Sequence, residues 1–322
     1  MSNSEEMEYL SKNIALVRGE IAKAVVGYEY IVDDLLICLM SRGHILMEGV
    51  PGVAKTTLAK AFSSIMSLQY SRIQFTQDLL PADIIGHYYF NQKESRFDIR
   101  KGPVFSEIVL ADEINRAPPK TQSALLEAME ERQATIEGTT FKLPPDFVVI
   151  ATINPIEAEG VYSLPEAQLD RFFFQINIDY PSIDEEKKII EQTTGSYKPE
   201  LAKILSDSDI LELQEIVRKV PVAEHVSDYA VKLARASRPK DPSAPDFVKQ
   251  FVNWGAGPRA AQALILGAKA RAILYGRYAA SLEDVKAVAY TSLRHRILLN
   301  FHAEAEGITT SEIIRRLLDE IS

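Results

Sequence analysis

The sequence has a single cysteine, Cys38, in a chain of 322 residues. No disulfide bond can therefore form within the chain, and a reducing compartment is expected. No stretch approaches the ~18 uninterrupted apolar residues of a membrane-spanning helix. The opening segment, MSNSEEMEYL, is acidic where a signal peptide would be basic. These absences predict a cytoplasmic protein with no membrane insertion.

Basic residues are too few to balance the acidic ones. The chain has 36 lysines and arginines against 45 aspartates and glutamates, which gives a net charge of −9. The molecule as a whole should repel nucleic acid, so a nucleic-acid partner is not expected, although a local basic channel is still compatible with this charge. The five histidines lack the spacing of metal ligands, so no metal centre with histidine ligands is expected.

Short apolar runs fill the first half of the chain and predict an α/β domain. The runs are HILMEG, SRIQF, SEIVLAD, DFVVIAT and RFFFQINI. Continuous apolar runs of this length are typical of parallel strands that are buried on both faces. After Asp179 the periodicity is helical, and no further strand is predicted. We expect an α/β domain with an N-terminal helical segment over residues 1–180 and an α-helical domain over residues 183–322.

Two segments of the first domain are predicted to be β-hairpins. HYYFNQKESRFDIR has a polar turn between Asn91 and Ser95, and ATIEGTTFKL turns at Glu137 and Gly138. In the helical part, Ser281 and Asp284 have the spacing of a capping box at the start of a helix.

The stretch ILMEGVPGVAKTTLAKAF has the parts of a phosphate-binding loop. Ile45 to Glu48 form a candidate buried strand, and Leu58, Phe62 and Ile65 mark one face of the following helix. The helix N-terminus and the loop amides would face an anion. Lys55 would reach the β and γ phosphates, and Thr56 would offer its hydroxyl to Mg²⁺. The loop residues expected at the nucleotide are Gly49, Gly52, Val53, Ala54, Lys55, Thr56 and Thr57.

Ala54 departs from the GxxxxGK[ST] pattern because it replaces the last glycine. A methyl group is tolerated at negative φ and costly at positive φ, so the departure is acceptable if Ala54 is already helical. The alternative is a chance match in an ordinary strand, turn and helix.

A second apolar run ends in two carboxylates, Asp112 and Glu113. At a strand end, the first would hold Mg²⁺ and the second would polarise an attacking water, although adjacent carboxylates there are often merely solvated. Asn154 ends the run FVVIATIN, where its amide would orient the water or sense the γ-phosphate; the alternative is a turn-forming asparagine.

Two arginines complete the candidate set. Arg171 follows SLPEAQLD and precedes a phenylalanine-rich strand, where it can project toward a neighbouring subunit's phosphate or form a surface ion pair with Asp170 or Glu166. Pro258 is predicted to begin a helix, so Arg259 falls in a first turn, where its positive charge opposes the helix dipole by ~0.3–1 kcal/mol. Such a charge indicates an anionic partner, either a nucleotide phosphate or a nearby carboxylate.

These motifs resemble the MoxR family of AAA+ ATPases over nearly the whole chain. The most distinctive segments are GVPGVAKTTLAKAF, LADEINRAPPKTQSALLEAMEE, LPEAQLDRF and GAGPRAAQALILGAKARAILYGR. The resemblance implies an AAA+ core with a five-stranded parallel sheet and an α-helical lid. It assigns Lys55 and Thr56 to Walker A, Asp112 and Glu113 to Walker B, Asn154 to sensor 1, Arg171 to the arginine finger and Arg259 to sensor 2.

The resemblance also implies cofactors and partners. Val26 and Gly27 would lie near the adenine of ATP or ADP, although Tyr28 and Tyr30 depart from the more polar stretch that is usual there. Thr56 and Asp112 would hold Mg²⁺. The subunits would form a homo-oligomeric ring, a hexamer, that remodels or matures a partner protein, commonly one with a von Willebrand factor A domain. Both hairpins would be surfaces that push on such clients.

Two other functions are compatible with the same motifs. One is a scaffold whose ATP binding stabilises assembly without hydrolysis, which the intact Glu113 and Arg171 disfavour. The other is a DNA motor, because the minichromosome maintenance helicases share the insert in the second core helix to which the first hairpin would correspond. The net charge disfavours a motor, and only His87, Arg96, Arg100 and Lys101 around the first hairpin support one.

Overall fold

The computed structural model describes residues 13–50, 52–53, 55–155, 161–195 and 199–321. The strands are β1 (Ile45–Gly49), β2 (Tyr70–Gln74), β3 (Gly86–Asn91), β4 (Arg96–Lys101), β5 (Ile108–Asp112), β6 (Gln133–Ile136), β7 (Thr139–Lys142), β8 (Val148–Ile153), β9 (Phe174–Ile178), β10 (Val252–Trp254) and β11 (Leu298–Leu299).

The helices alternate with these strands in the first part of the chain and dominate the second. They are α1 (13–21), α2 (Glu29–Met40), α3 (Lys55–Ile65), α4 (Pro81–Ile85), α5 (Pro119–Glu131), α6 (Glu166–Leu169), α7 (Ile183–Thr193), α8 (Asp207–Lys219), α9 (Glu224–Ala236), α10 (Asp246–Phe251), α11 (Pro258–Leu274), α12 (Leu282–Ala287), α13 (Ala289–Leu293), α14 (Phe301–Ala305) and α15 (Thr310–Glu320). Short 3-10 turns occur at Pro103–Phe105, Ile114–Arg116 and Arg294–Arg296.

A parallel sheet of five strands forms the centre of the first part. The strand order is β2-β5-β8-β1-β9, and these are the five apolar runs of the sequence. All five residues of β5 are buried, as expected for a strand that is covered on both faces. One buried cluster includes Leu58, Phe62 and Ile65 of α3, and a second lies on the other side with Leu125 and Leu126 of α5. The predicted α/β core with its parallel sheet is confirmed.

Both predicted hairpins are present as antiparallel pairs. β3 pairs with β4 and β6 pairs with β7, with turns at the predicted polar residues. At the first hairpin, Phe90 and Phe97 form a cross-strand pair whose ring centroids lie 5.4 Å apart. Both rings are largely exposed, at 53% and 68% of their surface, so this hairpin presents aromatic groups to solvent.

The second part is helical, with one exception to the expectation from sequence. β10 and β11 pair as a short antiparallel ribbon, so the expectation of no strand after Asp179 is wrong. Strands this short carry too few residues for an alternating pattern to be recognised. The capping box at α12 is confirmed, since the Ser281 hydroxyl accepts from the Asp284 amide. Every helix among the described residues is too short or too polar to span a membrane.

Candidate active site

The carboxyl ends of three adjacent parallel strands bring most of the candidate residues together. β1 ends at Gly49, immediately before the loop; β5 ends at Asp112; and Asn154 follows β8. Since β5, β8 and β1 are neighbours in the sheet, their carboxyl ends share one edge. Ligand sites of open parallel sheets form at this edge. Asn154 is buried there, with 3% of its surface exposed.

The loop is anchored by Lys55. Its Nζ donates hydrogen bonds to the carbonyl oxygens of Gly49, at 2.5 Å, and Ile153, at 3.4 Å. Gly49 is the last residue of β1, and a Cβ there would lie 2.6 Å from the Ile178 carbonyl oxygen. It therefore serves close packing against β9, whereas Gly52, with φ +86°, provides the turn.

The remaining loop residues occupy different environments. Val53 is buried, while Thr57 lies in α3 with an exposed side chain. Ala54 lies outside the described residues, so the tolerance argued for its methyl group stays a prediction.

Val26 and Gly27, the residues expected near the adenine, lie before α2. Val26 is half-buried, and a Cβ at Gly27 would lie 2.6 Å from Cδ of Glu185. These contacts place Gly27 beside the first turn of α7.

Thr56 and Asp112 present oxygen atoms to a common point. Oγ1 of Thr56 lies 3.5 Å from Oδ2 of Asp112, and the hydroxyl of Thr152 donates to Oδ1 at 2.7 Å. Oδ2 also accepts from Nε and Nη2 of Arg72, at 3.1 and 2.6 Å. A cationic group thus already contacts this carboxylate, and hydroxyl and carboxylate oxygens are ligands that Mg²⁺ prefers. The donor set fits Mg²⁺.

Glu113 has an uncommon backbone conformation that is held by side-chain contacts. Its φ is +58°, in the left-handed region, which is rare outside glycine and costs free energy. Its N–H donates to the Thr152 hydroxyl at 2.8 Å. Its Oε2 accepts from the Gln74 amide at 2.8 Å and pairs with Nε of Arg116 at 3.0 Å. The carboxylate is therefore oriented by its neighbours.

Arg171 lies at the opposite edge of the sheet from the loop. Phe174, at the amino end of β9, pairs with Ile45 at the amino end of β1, and Ile178 pairs with Gly49 at the carboxyl end. At 3.3 Å per residue, those four steps separate the two edges by about 13 Å. Arg171 precedes Phe174, so its guanidinium does not reach the loop of its own chain.

The guanidinium of Arg171 is held by α5. It donates to the Leu126 carbonyl at 3.0 Å and pairs with Oε2 of Glu130 at 2.7 Å. The surface ion pair considered for Arg171 thus exists, but its partner is Glu130 rather than Asp170 or Glu166.

Arg259 contacts the same carboxylate. α11 begins at Pro258, as predicted, and Nη2 of Arg259 donates to Oε1 of Glu130 at 2.6 Å. Its Nη1 lies 3.8 Å from Oδ2 of Asp170. Of the two partners considered from the sequence, the structure contains the carboxylate. Arg259 therefore lies with Arg171 at the amino edge of the sheet, away from Lys55.

A buried arginine from the second part fixes the segment that carries Arg171. Nε of Arg296 donates to Oδ1 of Asp170 at 2.7 Å, and Nη2 donates to the Phe172 carbonyl at 2.7 Å. The carbonyls of Phe173 and Ser292 accept from Nη1. Burial lowers the pKa of Arg296, and the adjacent Asp170 raises it. The helical part is thus tied directly to the residue preceding Arg171.

Several of these contact residues were not found from the sequence. Gln74 gave a signal, because it ends β2, whose carboxyl end lies beside that of β5. Its contact with Glu113 could be recognised only from the strand order, which the sequence did not provide. No local pattern marked Arg72, Thr152 or Arg296. Arg116 and Glu130 lie in the distinctive segment LADEINRAPPKTQSALLEAMEE but were given no role there, and Asp170 was considered only as an ion-pair partner of Arg171.

The parallel sheet, the lysine-bearing loop, the paired carboxylates and the helical second part define an ATPase of the AAA+ class. Comparison with known proteins agrees. A model of the ATPase family associated with various cellular activities (AAA) matches residues 44–174, and a model of the AAA lid domain matches residues 247–317. A solved structure of a Cytophaga hutchinsonii protein superposes with a TM-score of 0.94 at 43% identity, covering 100% of this chain and 98% of that one.

Curated relatives narrow the assignment. The chain is 45% identical to the chaperone MoxR1 of Mycobacterium tuberculosis, over 94% of this chain and 80% of that protein. It is 40% identical to YeaC of Bacillus subtilis, over 94% and 92% of the two chains. The chain therefore belongs to the MoxR family of AAA+ ATPases, as its motifs predicted.

Proposed function

We propose that this protein is an Mg²⁺-dependent ATPase whose hydrolysis is coupled to chaperone-like remodelling or maturation of partner proteins. The observation that carries the proposal is the shared position of Lys55, Thr56, Asp112 and Glu113 at the carboxyl edge of the sheet. Family membership supports ATPase chemistry, and the name of the Mycobacterium tuberculosis relative supports a chaperone role.

The loop and its lysine would bind ATP. Lys55 is held at the edge by two carbonyl groups, where its charge would meet the β and γ phosphates of ATP. Thr56 and Asp112 would hold Mg²⁺, which supplies charge neutralisation at the phosphate oxygens when bound.

Glu113 would act as the general base. Its carboxylate is fixed by Gln74 and Arg116, so it could accept a proton from an attacking water without searching for an orientation. Asn154, buried at the end of β8, would orient that water through its side-chain amide.

Arg171 and Arg259 would serve the nucleotide of the neighbouring subunit. Their position at the amino edge, away from Lys55 of the same chain, supports a site that is completed between subunits of a ring, a hexamer by family resemblance. An arginine supplied in this way is worth roughly 10³–10⁵ in rate, so assembly would switch on hydrolysis.

The first hairpin is the client-facing surface in this proposal. Phe90 and Phe97 are exposed on it, and apolar groups on a surface favour contact with proteins. Arg96 is paired with Glu94 and Asp98, which reduces the attraction of the hairpin for nucleic acid. A von Willebrand factor A domain is the client that the family resemblance favours.

The experiment compares ATP turnover by the wild type and the Glu113→Gln variant. We expect the variant to retain labelled ATP on a filter but to lose turnover. Glu127→Gln, on the exposed side of α5, is the matched control and should turn over normally. Normal turnover by Glu113→Gln would remove Glu113 from its role, and absence of turnover in the assembled wild type would reject hydrolysis.

A further inference from the structure

We propose that Glu130 is a positioning residue that holds Arg171 and Arg259 as a preformed pair for the nucleotide of the adjacent subunit. Glu130 lies near the end of α5, inside the distinctive segment LADEINRAPPKTQSALLEAMEE, but the sequence assigned it no role. The inference rests on the proposed function, because it concerns how the site between subunits is prepared.

One carboxylate divides its two oxygens between the two arginines. Oε2 of Glu130 lies 2.7 Å from Arg171, and Oε1 lies 2.6 Å from Arg259. Both distances are those of charge-assisted hydrogen bonds. The two arginines come from distant parts of the chain, before β9 and at the start of α11, and Glu130 is their shared contact.

Each charge lies at a helix end that disfavours it. Arg259 is in the first turn of α11, and Glu130 is in the last turn of α5. A cation opposes the dipole at a helix N-terminus, and an anion opposes it at a C-terminus. The attraction between the two charges therefore offsets the unfavourable interaction of each charge with its own helix dipole.

The arrangement leaves positive charge and hydrogen-bond donors available. One negative charge stands between two positive charges, so the three residues keep one net positive charge. A guanidinium has five N–H donors, and Glu130 contacts a single nitrogen of each arginine. The side chains of Arg171 and Arg259 remain 30% and 45% exposed, so a phosphate from outside the subunit can reach them.

Removal of Glu130 would separate the pair. Two adjacent guanidinium groups repel each other when no anion lies between them. Arg171 would keep its bond to the Leu126 carbonyl but lose its charged partner. Because a displacement of about 1 Å can cost roughly 10²-fold in rate, the expected damage falls on kcat. ATP binding uses Lys55 and Thr56 of the other subunit, so KM should change little.

The test measures ATP turnover by assembled Glu130→Gln, with Glu131→Gln as the matched control. Glu131 is the next residue of the same helix and is exposed, so its variant carries the same charge change. We expect kcat of Glu130→Gln to fall at least tenfold, with KM for ATP within about threefold of the wild type. Glu130→Asp should recover part of the rate. Equal kcat values for the two glutamine variants would overturn the proposal.

Mixed assemblies distinguish a positioning role from a structural one. Glu130→Gln subunits keep Glu113, and Glu113→Gln subunits keep the Glu130 pair, so mixing them should restore turnover at sites that combine both. A slow Glu130→Gln variant that is not rescued, although mixed assembly is confirmed by mass photometry, would contradict the proposal.

A double variant gives a second, independent readout. If Glu130 acts through Arg171 and Arg259, the loss of rate in the Glu130→Gln, Arg171→Ala double variant should be smaller than the product of the two single losses. Independent multiplication of the two losses would overturn the proposal. If the wild type turns over ATP and the kcat values of Glu130→Gln and Glu131→Gln are equal, only this inference is rejected. An assembled wild type without turnover rejects the proposed function.

Discussion

The side-chain amide of Gln74 donates a hydrogen bond to Oε2 of Glu113 over 2.8 Å. Gln74 ends β2, Glu113 follows β5, and the two strands are neighbours in the sheet. Arg72 links this contact to Asp112, because its Nη2 donates to both Oε1 of Gln74 and Oδ2 of Asp112. The two carboxylates assigned to metal and water are thus connected through the edge strand.

This connection predicts the effect of changing Gln74. Gln74→Glu would place a second carboxylate against Glu113 and disfavour its ionised form. We expect kcat to fall about tenfold or more at pH 7 and the acidic limb of the pH–rate profile to move to higher pH. Gln74→Ala should lose less. The exposed Gln250→Glu variant controls for charge, and an unshifted profile for Gln74→Glu would contradict the role of Glu113.

A second prediction concerns the metal. Thr56→Val removes the hydroxyl that lies 3.5 Å from Asp112 but nearly preserves side-chain shape. The Mg²⁺ concentration for half-maximal turnover should rise about tenfold, the equivalent of about 1.4 kcal/mol, and Thr56→Ser should restore it. Titration of turnover with Mg²⁺ at saturating ATP measures this, and an unchanged midpoint for Thr56→Val would count against the assigned ligand.

The candidate site residues that directly follow a strand gave the clearest signals in the sequence. Asp112 and Glu113 could be assigned because an apolar run stops at them, and Lys55 because a strand, a loop and a helix surround it. The contacts of Arg171 could not be predicted in the same way. Glu130 lies in an ordinary amphipathic helix, and its neighbours depend on how α5, β9 and α11 pack.

The fold likewise contains elements that could be predicted from the sequence and elements that could not. The five buried strands were visible as apolar runs, since burial on both faces leaves a strong pattern. The pair β10 and β11 was missed because so few residues leave no periodicity. Arg296 was missed for another reason: its burial depends on backbone carbonyls of Asp170, Phe172 and Phe173, which no side-chain pattern reports.

Arg296 provides a prediction about stability. Arg296→Met removes the bonds to Asp170 and to several buried carbonyl groups, of which the Phe172 carbonyl keeps its contact with Nε2 of His295. We expect the free energy of unfolding to fall by about 3–5 kcal/mol. Arg315→Met on the exposed side of α15 is the control; its surface pairs should be worth only about 0–1 kcal/mol. Urea denaturation measures both, and equal losses would contradict the anchoring role of Arg296.

His44 provides a prediction about pH. Its Nε2–H donates to the Met129 carbonyl, and its Nδ1 accepts from the Val149 amide, so the ring is neutral when folded. Burial, together with the nearby charge of Arg132, lowers the pKa of His44 to about 3. The unfolded chain, with a histidine pKa near 6.5, therefore takes up a proton that the folded chain does not.

This favourable contribution is complete above pH 6.5 and declines as the pH falls toward 3. Burial raises the pKa of Asp34 to about 7, which has the opposite effect, so a comparison with a variant is needed. The stability deficit of His44→Gln relative to wild type should shrink by about 1.4 kcal/mol per pH unit below 6.5. The exposed His225→Gln is the control, and a constant deficit for His44→Gln would contradict a buried neutral His44.

The central claim is that the active site is completed by a second subunit, and one mixing experiment tests it most directly. Arg171→Ala subunits retain Glu113, and Glu113→Gln subunits retain Arg171, so each variant alone should be nearly inactive. An equimolar mixture, with assembly confirmed, should recover turnover because some interfaces combine both intact residues. Turnover that stays at the level of the separate variants would contradict a site shared between subunits.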